Sequence, residues 1–329
     1  MDFRLDDQQL ALQQTVADFC AARYPLGEIA RRQLAGTGSD PSAWAELCDL
    51  GVTTILVPEA HGGLGLDLFH AAIVFEQLGR RLVPGPLLWS SLGAALLGDG
   101  SPRTPMVSGW DAVAEPDGPI LIEHADDLDG LIVLRPGGVA WIERAELGAP
   151  QMLDPLDPLT PVGRYHGLPA GRLLAGPEEA DLVRSRGTVL AAALLVGVAQ
   201  AALDVARDYS LERRQFDRPI ASFQALKHMM ADMFVRLSLA RSSTYAAAAV
   251  VGDPEIGDVV RSVSGAKLLA GEAAVENSRG AVQILGGMGF TWDMPPNFLL
   301  KRAWVLEQSF GTSTAHALTI SDAMAGATR

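Results

Sequence analysis

In the stretch RDYSLERRQFDRPIASFQALKHMMAD at 207–232, three arginines, Arg213, Arg214 and Arg218, crowd the segment 212–218, opposed there only by Glu212 and Asp217. The whole chain carries 26 Lys and Arg against 39 Asp and Glu, a formal charge of −13, so this is a local positive site in an acidic protein. Guanidinium forks grip phosphate oxygens two at a time, and the unpaired amides at the start of a helix add to such a site. The chemistry indicated is the binding of a phosphate. On charge alone, a solvated and salt-bridged helix end accounts for the same residues.

The elements that must hold these arginines can be read from spacing. Leu194, Val198, Ala202, Val205, Tyr209 and Leu211 recur at helical intervals up to the first arginines. Pro219 has no amide to continue that helix, which is expected to have ended by Asp217. Ser222 is the expected N-cap of a second helix with Phe223, Leu226, Met230 and Phe234 on one face. Further helices are expected over 182–214, 222–251 and 256–285, with a last one from about 297 to 324 interrupted near Gly311. Long antiparallel helices of this kind predict a four-helix bundle. Upstream, Leu10, Leu12, Val16, Phe19 and Cys20 trace an amphipathic helix over 6–23, a second helix opens at Ser42 and stops at Gly51, and two more, broken at Pro84 and Pro86, follow a loop with Gly62, Gly63 and Gly65. No β-α-β unit surrounds those glycines, so they make no dinucleotide fingerprint. Between the helical regions, GLIVL and GVAWIE flank Arg135-Pro136-Gly137 as a hairpin, and PILIE before it is a further strand. The expected division is an N-terminal helical domain at 1–100, a small β domain at 101–175 and a C-terminal bundle at 176–329.

With 48% apolar and 20% charged residues over 329 positions, the chain has ordinary globular composition with a sizeable core. Its acidity argues against a nucleic-acid surface or a polybasic membrane anchor. The opening MDFRLDDQ is polar and acidic, unlike a signal peptide. Cys20 and Cys48 have neither metal-ligand nor disulfide spacing, so a reducing, cytoplasmic setting with buried thiols and no metal site is expected. The uncharged run at 187–203 approaches membrane-span length, but its continuation as an amphipathic helix marks it as buried inside a bundle.

Architecture alone gives no activity; the motifs go further. VPEAHGGLGLDL, ERRQFDRPIASFQALKHMMADM, QILGGMGF and FGTST follow in an order and spacing that resembles the acyl-CoA dehydrogenase family over nearly the whole chain. The resemblance implies FAD between subunits, a carboxylate that takes the α proton of a CoA thioester, hydride transfer from the β carbon to the flavin, and an electron-transferring flavoprotein as acceptor. A carboxylate of ordinary proton affinity acts on that carbon only if the enolate oxygen is hydrogen-bonded as charge develops. By the same resemblance Arg213, Phe216 and Gln224 would reach the pyrophosphate and adenosine half of a neighbour's FAD. Gln283, Gly286 and Gly287 would complete that arm, with Thr312 a further cofactor contact. The two glycines also read as a helix C-cap loop.

Two family features are missing. The catalytic glutamate that precedes Gly-Thr-Ser is here Phe310, and the alternative family position falls on Gly187 or Thr188, neither acidic. Glu307 is an alternative base, but one helical turn displaces it by about 5 Å, a large error for proton transfer. The sheet segment that supports the flavin ring has no counterpart between Leu97 and Pro119, and the β domain is short. The pattern resembles one subunit of the α2β2 acyl-CoA dehydrogenases of bacterial steroid side-chain degradation, whose partner subunit would supply the glutamate. A self-sufficient dehydrogenase using Glu307 and a non-catalytic scaffold are the alternatives. Phe310 is expected to fill the vacated pocket.

Overall fold

The computed structural model describes residues 4–34, 40–98, 105–114 and 118–326. The N-terminal helices are α1 (Asp7–Arg23), α2 (Ile29–Leu34), α3 (Pro41–Asp49), α4 (Leu68–Arg80) and α5 (Leu87–Leu97). Their starts are written in the sequence. Asp6 and Gln9 form a reciprocal capping box on α1, Asp40 caps α3 ahead of its proline, and Asp67 caps α4.

Among the described residues the strands that follow are β1 (Val107–Asp111), β2 (Ile120–Glu123), β3 (Gly130–Arg135), β4 (Gly138–Glu143), β5 (Gln151–Leu153), β6 (Val162–Tyr165) and β7 (Arg172–Ala175). The expected hairpin is β3–β4, closed by Pro136-Gly137 with Arg135 opposite Gly138. The PILIE strand forms as β2 but pairs with β6 in a separate sheet ordered β2-β6-β5, while the hairpin lies in a sheet ordered β1-β3-β4-β7 with β1 parallel to β3. The strands that spacing did not reveal are three to five residues long, too short for an alternation to register.

The C-terminal part is α6 (Pro177–Glu212), a hairpin of β8 (Arg214–Gln215) and β9 (Arg218–Pro219), then α7 (Gln224–Gly252), α8 (Val259–Leu285), α9 (Pro295–Gln308) and α10 (Ser313–Gly326). The helix-rich architecture with a small β region is the one expected. α6 is long and apolar enough to cross a membrane, yet its middle is enclosed by α4, α7, α8 and α9, and it is the core helix of the chain. Buried side chains from α1 through α6 to Phe310 form one continuous core, with a smaller one between the sheets.

Polar ties fix how these parts meet. At the α4–α6 crossing a Cβ on Gly79 would lie 2.1 Å from Leu194 O and one on Gly197 would lie 2.1 Å from Glu76 O, so the two backbones touch because both residues lack side chains. Buried Glu76 accepts from Arg241 Nη2 at 2.9 Å and from Tyr245 Oη at 2.9 Å. Buried Asn277 of α8 donates to Met233 O at 3.0 Å and Ala199 O at 3.4 Å, stapling α6, α7 and α8. Arg184 of α6 holds Asp111 of β1 at 2.7 Å. Arg302 of α9 pairs with buried Asp157 from the loop before β6 and donates to Val83 O at 3.2 Å.

Candidate functional site

The arginine stretch folds as a hairpin perched on two helix ends. Arg213 N donates to Tyr209 O at 2.8 Å, closing α6, and Arg213 O accepts from Ile220 N at 2.8 Å. The turn between β8 and β9 is Phe216-Asp217, with φ of 50° and 62°. Two left-handed residues are what a type I′ hairpin requires, but the usual glycine or asparagine is absent, and a phenylalanine there is held against a cost of about 1–2 kcal/mol. The result is a Phe216 side chain 86% exposed.

The three arginines are not equivalent. Arg214 Nη2 donates to Asp217 O at 2.7 Å, and the Arg218 guanidinium lies 4.2 Å from the Phe223 ring centroid. Arg213 has no side-chain partner among the described residues. The N-cap expected at Ser222 does not form. Its hydroxyl donates to Pro219 O at 2.8 Å inside a short 3-10 turn, and α7 starts at Gln224 behind Phe223, which offers no capping side chain. Pro219 draws the serine one residue too far back. The first amides of α7 are therefore left without a side-chain acceptor beside a free guanidinium, a donor set suited to a diphosphate.

Gln283, Gly286 and Gly287 lie at the same end of the bundle. The Asn277 staple places the last turns of α8 beside the last turns of α6 and the first of α7. All three are exposed; Gly286 has φ 63°, and a Cβ on either glycine would meet nothing within 4 Å. Thr312 is not part of this group. It sits after α9 and caps α10, its Oγ1 accepting from Ala315 N at 3.1 Å.

At the opposite end, the positions where the family pattern puts a base touch one another. Phe310 is 6% exposed, and its ring occupies the space where a Cβ on Gly187 would stand, 2.3 Å from Phe310 Cζ. The same ring stacks on Trp89 of α5, centroids 4.7 Å apart and planes tilted by 31°. Trp89 in turn lies against β1, where a Cβ on Gly109 would come within 2.3 Å of the indole. The gap between sheet and bundle is thus filled by two aromatic rings seated on two glycines. Thr188 is buried with its hydroxyl donating to Arg184 O at 2.8 Å. Glu307 Oε1 accepts from Ser313 N at 2.6 Å and Oε2 from Gln308 Nε2 at 2.5 Å, so its carboxylate is engaged in capping α10. Trp89 and Gly109 were invisible as site residues in the sequence, because a tryptophan in an apolar helix and a glycine in a strand carry no signal of their contact.

No group of His, Cys, Asp or Glu among the described residues is arranged to hold a metal. Cys20 and Cys48 are free and buried, their thiols pushed up by burial to about 12 and about 11. A cavity of about 320 Å³ is lined by Cys48, Asp49, His61 and Gly98 among others, and neither the arginine stretch nor Gly187, Trp89 and Phe310 borders it.

Known proteins share the domains and the fold of this chain. The N-terminal domain of acyl-CoA dehydrogenases matches residues 6–103 and the C-terminal domain matches residues 179–325. The acyl-CoA dehydrogenase IpdE2 of Mycobacterium tuberculosis is 31% identical, over 90% of this chain and 91% of the relative. Among solved structures, the Tcur3481-Tcur3483 steroid ACAD variant shares the fold at a TM-score of 0.83 and 22% identity, covering 98% of this chain and 99% of its counterpart. The ChsE4-ChsE5 complex of Mycobacterium tuberculosis superposes at a TM-score of 0.81 and 21% identity over 99% of both chains.

Proposed function

This chain belongs to the acyl-CoA dehydrogenase family of FAD-dependent oxidoreductases, and from that premise we propose that it is one subunit of a heteromeric enzyme, lending an FAD-binding arm to a site whose base stands on a partner chain. The observation that carries this reading is Phe310, buried on Trp89 and Gly187 where the family's glutamate would be.

The residues present fit one half of the cofactor. Arg213, the uncapped start of α7 and the open backbone at Gly286 and Gly287 suit its diphosphate and adenosine. The packed Trp89–Phe310 pair fills the place where the family's base would face the ring. Distance supports sharing as well. Gly187 and Glu212 lie on the same helix, α6, and at 1.5 Å per residue the interval between them is about 38 Å. One flavin dinucleotide does not reach from the arm to the base position of the same chain, so an FAD held by this arm has its reactive ring elsewhere.

When bound, FAD supplies the hydride acceptor for forming an α,β double bond in a CoA thioester. This chain's part is to hold and orient. Arg213 neutralises diphosphate charge, Gln224 and Gln283 offer amide hydrogen bonds, and Phe216 presents an apolar face to the adenine. Phe310 holds no proton, so abstraction of the α proton falls to a carboxylate of the partner. Likeness to a protein described as a steroid ACAD makes a steroid-derived CoA ester the proposed substrate class, and membership of the family makes an electron-transferring flavoprotein the proposed acceptor.

Replacing Arg213 with alanine tests the arm. The assembled enzyme should bind FAD more weakly by about 1.5–3 kcal/mol, the worth of a charge-assisted hydrogen bond, with its fold intact because that side chain makes no bond to any of the described residues. Unchanged FAD retention would leave the chain a scaffold that does not touch the flavin.

A further inference from the structure

Beneath the turn joining α9 to α10 lies an amine that the proposed reaction does not use. Lys267 of α8 is 0% exposed, and its Nζ donates at 2.8 Å to Glu307 O and at 2.8 Å to Gly311 O. The first carbonyl belongs to the last turn of α9, which has no intrahelical partner for it. The second belongs to a residue in the left-handed region, φ 100°.

Its neighbours on α8 grip the same turn. Ser264 Oγ is 3.2 Å from His316 Nδ1, and His316 Nε2 is 3.0 Å from Phe310 O. A carbonyl only accepts, so Nε2 carries the proton and Nδ1 accepts from the serine. Gly271 leaves room for Ser313, whose Oγ would be 2.7 Å from a Cβ there. Residues 264, 267 and 271 share one helical face, and together they hold the segment from Glu307 to His316.

A buried amine is an expensive way to fill space. Burial pushes Lys267 down to about 8, with the Glu307 carboxylate opposing that shift, and methionine would occupy the volume without a desolvation penalty. What a methionine does not do is hold two carbonyls at once. The turn needs such a hold, because Phe310 itself has φ 57°, a conformation disfavoured for an aromatic residue.

We propose that Lys267 is a positioning residue: by tying the end of α9 to the Gly311 carbonyl, it fixes the left-handed turn that sets the side chain of residue 310 against Trp89 and Gly187. This goes beyond the subunit reading and stands without it. The form of the turn is dictated by α8, not by the side chain at 310, so it persists although the base is gone.

The test uses the full chain in the assembly in which it purifies, labelled with 5-fluorotryptophan, with the Trp89 resonance assigned by its loss in Trp89→Phe. Phe310→Leu removes the ring current and gives the reference shift. Folded Lys267→Met should move the Trp89 resonance towards that reference and speed amide exchange of 309–313 at least tenfold. A lysine that merely adds stability would lower Tm and leave the folded resonance in place, and that result, with unchanged exchange, overturns the proposal. Should Lys267→Met not fold, Phe310→Leu decides by itself. Unchanged exchange at 311–316 supports a turn held from α8, and a tenfold acceleration shows that the phenylalanine held it.

Discussion

Gly197→Ala is expected to lose about 3 kcal/mol of stability, the upper end of the usual cost of overpacking and a large share of the roughly 5–15 kcal/mol that holds a domain together. The reason is geometric. The added methyl would stand 2.1 Å from Glu76 O and 2.6 Å from Arg80 N, and backbone in the middle of α4 has no rotamer by which to withdraw. Relief requires α4 and α6 to separate, which strains Arg241 of α7, whose guanidinium holds both Glu76 of α4 and Gln200 of α6. Gly265→Ala is the control of opposite sign. It too is a glycine inside a helix, but a Cβ there meets only Ser243 Oγ at 4.0 Å, so the gain in helix propensity of about 0.5–1 kcal/mol stands alone. Chemical denaturation of the two variants checks the pair, and similar midpoints for both would contradict close contact of the helices.

Acid should loosen the fold well above the range in which its carboxylates titrate. His316 and His124 are both held down to about 4, in each case first by burial; Lys267 adds to the effect on His316 and Arg302 to that on His124. Each folded value lies below the ordinary value of 6.5, so the unfolded chain binds protons first and stability falls as pH drops from 6.5 through 4. By pH 5 the loss is about 2 kcal/mol for each ring. Glu123, beside His124, works against this, since burial raises its carboxyl and the folded state gains from protonating it. His316 is therefore the cleaner reporter. His316→Gln should flatten the stability curve between pH 6.5 and 5 relative to the parent, and parallel curves would show that its neutral, buried state is not what acid attacks.

The arginine stretch was legible in the sequence, and the contacts that bury Phe310 were not. Arg213, Arg214 and Arg218 stand out because a charge cluster, a proline break and a helix start are local signals, read within a dozen residues, whereas Phe216 and Gln224 were singled out only by the resemblance to the family. Even there the cap was misplaced, because Pro219 and a 3-10 turn shift the start of α7 past Ser222. Phe310 was recognised as a missing glutamate, and Gly187 as a missing acid. Their joint meaning needed three dimensions: the glycine is small so that the phenylalanine ring can lie on it. Trp89, Gly109 and Lys267 act through contacts between residues far apart in sequence, for which periodicity has no signal. In the β region the hairpin announced itself by its turn, while β1 and the short β5 to β7 are strands because of what they pair with.

The count of flavins in the native assembly bears most directly on the division of labour between subunits. If this chain lends its arm and a partner holds the ring and the base, the purified heteromer contains one FAD for every two chains, and this chain alone oxidises no acyl-CoA. One FAD per chain, or a yellow, thioester-oxidising oligomer built from this chain alone, would contradict it.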